Sequence, residues 1–170
     1  MKTLNWRRAN WLARNFILSI EQETIGQLTF NNSWNFKAVY TDRETNLKFA
    51  RKSFWDSDVL ITKDETTIGE INFGLLGTQT LKLSTGEKFT LSSSFWGQEV
   101  TWKNETGETI VTYQQATMSS MGKGLISLMD SLAIEKEKLL VSSGLFARQL
   151  MHRRIAVLMA AMIPIMASAS

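Results

Sequence analysis

The chain has 170 residues, 44% hydrophobic and 21% charged, with a formal net charge of +3 from 19 Lys+Arg against 16 Asp+Glu. These proportions are ordinary for one folded domain over 1–170 and exclude disorder, which needs low apolar content with high net charge. With no cysteine and one histidine, disulfides, thiolate or multi-histidine metal sites and cysteine nucleophiles are excluded, and so modest a charge argues against a dedicated nucleic-acid binder.

Residues 1–14 read as an N-terminal arm. The opening Met-Lys-Thr-Leu-Asn-Trp-Arg-Arg has no unbroken apolar stretch before Phe16 and does not resemble a secretory signal. The expected location is therefore the cytoplasm, with peripheral contact at the inner membrane face allowed by the charge. Trp6 and Trp11, interleaved with Arg7, Arg8 and Arg14, suit a membrane interface or an anionic headgroup. The helical faces are not cleanly segregated, however, which favours a capping arm that packs its tryptophans on the domain.

From 15 to 143 the sequence predicts strands, with β-branched and aromatic runs separated by short polar turns and no proline before Pro164. Thr24-Ile25-Gly26-Gln27-Leu28-Thr29-Phe30 recurs as Thr67-Ile68-Gly69-Glu70-Ile71-Asn72-Phe73, and more weakly around Thr109-Ile110. Phe54-Trp55 recurs as Phe95-Trp96. The spacing is about 42 residues throughout, the length of a supersecondary unit. Each unit divides into four strands: 15–21, 24–30, 34–41 and 45–52; 57–63, 66–73, 78–84 and 87–93; 98–103, 108–116, 124–130 and 136–142. The last two are open, because 125–132 suits a helix as well. Gly26 and Gly69 inside strands mark bulges or tight bends. Met121-Gly122-Lys123-Gly124 reads as a turn, and Trp34, Trp55, Trp96 and Trp102 read as core or wall residues. Twelve antiparallel strands in three four-stranded repeats most economically close into a barrel, which removes the exposed edges. A three-bladed propeller would fall below the usual blade number.

Every residue from Ile155 to Ala167 is apolar or proline. At ~1.5 Å per residue such a helix is about 20 Å long, short of the roughly 30 Å hydrocarbon core. Extending it backwards takes in Arg148, His152, Arg153 and Arg154, and each central arginine costs about 2.5–3.5 kcal/mol on insertion. A barrel of twelve strands is too wide for its wall side chains to fill. A central hydrophobic helix over 144–164 is therefore expected as a core plug, through Ile155, Val157, Leu158, Met159, Met162 and Ile163, with 165–170 as a tail.

A three-unit, twelve-strand pattern with a repeated Thr-Ile-Gly-x-hydrophobic-x-Phe hairpin and a C-terminal apolar helix resembles the tubby C-terminal/phospholipid scramblase-like superfamily, including its LURP-one-related members. The resemblance runs from about Asn15 to Pro164 and implies a closed barrel around a hydrophobic helix. Tubby proteins bind phosphoinositides, and scramblases carry a calcium-binding segment and palmitoylated cysteines. This sequence has neither the cysteines nor an EF-hand-like loop, so no family site transfers to particular residues.

No Gly-x-Ser-x-Gly elbow, nucleophile-and-base pattern or metal cluster marks an enzyme, and no cofactor is expected. The expectation is a non-enzymatic module that meets anionic phospholipid or a protein partner through Arg7, Arg8, Arg14, Arg148, His152, Arg153 and Arg154. The alternatives are a carrier or sensor of a small apolar ligand in the lumen and a tail-anchored membrane protein.

Overall fold

The computed structural model describes residues 1–9, 15–31, 37–53, 55–74, 78–94, 98–116 and 122–167, with side chains as far as His152. Twelve antiparallel strands close into one barrel in which chain order and spatial order coincide, and β1 closes the ring against β12. The strands are β1 Lys2–Arg8, β2 Phe16–Ile20, β3 Glu23–Phe30, β4 Ala38–Thr41, β5 Asn46–Arg51, β6 Val59–Lys63, β7 Thr66–Phe73, β8 Gln79–Leu83, β9 Lys88–Ser93, β10 Glu99–Asn104, β11 Thr109–Gln115 and β12 Lys123–Leu128. One helix, α1 Ile134–Ala167, follows them.

Side chains alternate across the wall as the strand period requires. Leu28 and Phe30 on β3 are buried in the lumen, as are Ile71 and Phe73 at the matching places on β7, with half-buried residues between them. The repeated Thr-Ile pair has a geometric explanation. Register shifts fall between Leu18 and Ser19, between Ile61 and Thr62, and between Trp102 and Lys103. In each case the extra residue on the facing strand is the repeated isoleucine: Ile25, Ile68 and Ile110. The internal repeat is thus a threefold bulge, a device that bends a strand and raises its twist so that a sheet can close.

Two predicted boundaries are corrected. The arm over 1–14 contains a wall strand. Leu4 and Trp6 alternate inward against exposed or half-buried Thr3, Asn5 and Arg7, so Trp6 is only 1% exposed and sits in the lumen. Conversely, 136–142 is helix, its run of large apolar side chains being buried on every side by the surrounding wall. The count of twelve holds because β1 takes the place of the expected last strand. Lys123 and Gly124 also belong to β12 and not to a turn. An added Cβ at Gly124 would lie 1.9 Å from the Gln114 carbonyl oxygen, which is why glycine is needed at that crossing.

The lumen is filled by α1 from Leu139 to Leu150, a stretch in which every residue is buried. At ~1.5 Å per residue it is about 18 Å long, matching a wall of tilted four- to eight-residue strands. The expected plug residues Ile155, Val157, Leu158, Met159, Met162 and Ile163 follow this stretch, and their side chains lie outside the described residues. The wall sets the width of the described stretch. Trp6, Phe16, Phe30, Phe49, Trp102 and Tyr113 all point inward, so the helix crossing them must be narrow. Ser142, Ser143, Gly144 and Ala147 supply that narrow stretch, and a Cβ on Gly144 would fall 2.1 Å from the Tyr113 hydroxyl oxygen. The two serine hydroxyls donate back to the carbonyls of Lys138 (2.8 Å) and Leu140 (3.0 Å), leaving no orphaned polar group on the helix there. Phe146 keys the helix to the wall, stacking on Phe49 at 4.9 Å and on Phe30 at 5.6 Å between ring centroids. Trp102 is fully buried as expected, but Trp55 is 92% exposed, and Trp34 and Trp96 lie outside the described residues.

Candidate anion-binding mouth of the barrel

The two barrel ends differ in chemistry. At the end where α1 enters, the hairpins are short and polar, turning at Glu21-Gln22, Asp42–Thr45, Asp64-Glu65, Ser84–Glu87 and Glu105–Glu108. Glu135 and Glu137 in the first helical turn complement the positive helix end. Lys63 reaches Glu135 (2.7 Å), Lys2 reaches Glu137 (2.7 Å) and Lys136 reaches Glu87 (2.6 Å). Such pairs near the surface contribute little to stability. The tighter contact is Lys138 on Asp42 at 3.0 Å, where the carboxylate is only 5% exposed. Burial alone would raise the Asp42 pKa. The amides of Glu44 and Thr45 and the Lys138 ammonium outweigh it and hold the group below its usual range.

At the other end, where α1 leaves the strands, cations take the inner positions. Arg8 is next in the inward alternation after Leu4 and Trp6, and its guanidinium stands 5.9 Å from the Phe16 ring centroid. Its Nη2 donates to the Gln149 side-chain amide oxygen Oε1 at 3.3 Å. Arg148, 5% exposed, lies over the Trp6 ring at 4.6 Å and donates through Nη2 to the Gln115 side-chain amide oxygen Oε1. The Nε–H of each arginine is buried without a hydrogen-bond partner among the described residues. All 16 Asp and Glu residues are among those described, and none forms an ion pair with Arg8 or Arg148. Desolvation, then repulsion from Arg8, brings the Arg148 pKa down to about 10, leaving it charged at neutral pH. His152, one turn beyond, is held below its ordinary value by desolvation at the mouth and then by the charges of Arg148 and Arg8.

Of the residues the sequence singled out, the structure brings Arg8, Arg148 and His152 together. Arg7 points outward on β1, beside a shallow groove shared with Asn5, Ile17, Lys123 and Leu125. Arg14 lies outside the described residues, as do the side chains of Arg153 and Arg154. Sequence reasoning missed Gln115, Gln149 and the ring of Trp6. The period-two alternation through Leu4, Trp6 and Arg8 was the signal that would have placed the first arginine inside.

The larger surface depressions lie along the outer wall and at the entrance rim, around Lys136 and Glu87 and at the β2–β3 turn. Among the described residues no cluster of three His, Asp or Glu side chains could hold a metal ion. No helix among them is long and apolar enough to cross a membrane. Compared with known proteins, the chain matches no family model, no curated protein and no solved structure.

Proposed function

We propose that the protein is a non-enzymatic barrel module that sits peripherally on anionic membrane lipid, with the helix-exit end facing the bilayer. The observation that carries this reading is the pair of arginines at that mouth with no carboxylate to neutralise them. Anionic headgroups attract such cations by about 1 kcal/mol for each one near the surface.

Two further features support the same orientation. Trp55, in the β5–β6 connection at the exit end, is 92% exposed. The opposite hairpins are dominated by acids. The helix also continues to Ala167 through the apolar run that begins at Ile155. About 20 Å of helix cannot cross a hydrocarbon core of roughly 30 Å but exceeds one leaflet, with Arg153 and Arg154 at headgroup depth. This reading joins the peripheral and tail-anchored alternatives into a one-leaflet anchor. A lumenal carrier is less well supported, because α1 occupies the lumen with side chains as buried as those of the wall. The barrel around a helix is also the architecture implied by the tubby/scramblase-like resemblance, and we extend that kinship as part of the proposal.

Flotation with liposomes tests it. The full chain should rise with vesicles containing phosphatidylserine and stay behind with pure phosphatidylcholine, and equal behaviour towards both would reject the lipid reading.

A further inference from the structure

The mouth holds an electrostatic imbalance that the fold itself does not resolve. Buried cations are ordinarily paired with carboxylates, because an uncompensated charge in a low-dielectric site is costly. Here two guanidiniums lie within Coulombic reach of each other, and each is held by a neutral glutamine amide. The aromatic faces of Trp6 and Phe16 lie beneath them and supply attraction without a counter-charge. Each arginine keeps a buried Nε–H donor without a partner among the described residues. The glutamines fix the guanidinium planes through Nη2 and leave the Nε side of each fork unsatisfied.

We infer that Arg8 and Arg148 form one binding site for a phosphate-type oxyanion, held at the barrel mouth between β1 and the exit turn of α1. This deepens the lipid reading of the same end and rests on it only for the source of the phosphate. Two guanidiniums at one mouth suit a tetrahedral oxyanion bearing up to two charges, whereas a single carboxylate is satisfied by one fork. The bound anion meets both orphaned donors and removes the repulsion between the arginines. It also relieves His152, which senses both cations and is the only histidine in the chain.

The first arm of the test is NMR on the full chain, following the arginine Nε–H and His152 ring resonances while inorganic phosphate replaces chloride at constant ionic strength. Saturable shifts at Arg8 and Arg148, with the His152 titration midpoint moving upward, are the expected result. Arg8→Gln, at a half-buried strand position, should lower phosphate affinity about tenfold or more. Arg148→Gln should do the same where it folds, and the Arg8 variant decides the matter where it does not. The second arm is flotation with phosphatidate, phosphatidylserine or phosphatidylcholine vesicles. Phosphatidate binding that Arg8→Gln abolishes identifies a lipid headgroup as the source. Phosphate shifts without flotation on any anionic vesicle support the site with free phosphate as its source, and the lipid reading fails alone. No saturable phosphate shift, together with anionic flotation that Arg8→Gln leaves intact, overturns the site and leaves the lipid reading standing.

Discussion

Single side chains decide how the helix fits its barrel. Phe146 stacks between Phe30 and Phe49 with no exposed surface, so Phe146→Ala should cost about 3–5 kcal/mol, read from urea unfolding. Gly144 tolerates no side chain against Tyr113, whose hydroxyl donates to the Leu140 carbonyl at 2.7 Å. Gly144→Ala improves helix propensity by about 1 kcal/mol, yet overpacking of about 1–3 kcal/mol should win and lower the melting temperature. Asp42 gives the fold a pH dependence of known sign. Its folded pKa lies below the unfolded value, so its contribution is present above the unfolded pKa and disappears as pH falls through the folded one. Asp42→Asn should therefore flatten the loss of stability as pH falls below the ordinary carboxylate range in denaturant titrations.

Among the elements, α1 has a buried part and an apolar continuation, to which the proposal gives different tasks. Residues 139–150 are all buried and close the core, and the helix continues into the apolar run from Ile155. Truncation after Arg154 should leave a cooperatively folding barrel with little change in melting temperature but much weaker flotation on anionic vesicles. Truncation after Lys138 removes the lumen filling and should leave no cooperative transition in calorimetry. A barrel that unfolds on losing only 155–170 would show that the run belongs to the core after all. At the same scale, the three bulges at Ile25, Ile68 and Ile110 explain why the repeat is strongest in the hairpins and faint elsewhere. Curvature must be introduced at matching places around the ring, while packing between them is free to vary.

For the whole molecule, the informative property is the asymmetry between its ends. Carboxylates crowd the end where α1 enters and are met there by lysines, whereas at the exit end the inward-facing Arg8 and Arg148 pair with no Asp or Glu. A net charge of only +3 conceals this polarity, since a scalar charge carries no direction. If headgroup attraction holds the exit end down, flotation should weaken as salt rises from about 0.1 M to 1 M, because the screening length falls from ~10 Å to ~3 Å. The apolar extension should leave a residual, salt-resistant fraction that the Arg154 truncation removes.

Periodicity and turn chemistry alone determined the strands from Phe16 to Gln115, the closed barrel of twelve strands and the need for a helix inside it, because each of these depends on local alternation or on the width of a closed sheet. Tertiary structure decided which segment fills the lumen and which strand closes the ring. The lumen filling begins at Leu139, ahead of the expected start at 144, because Leu139, Leu140 and Val141 are consecutive and all buried, which a wall strand with one solvated face does not allow. The pairing of Arg8 with Arg148 was likewise illegible. The two residues stand at opposite ends of the chain, and only closure of β1 on β12 around the helix brings their charges to one mouth.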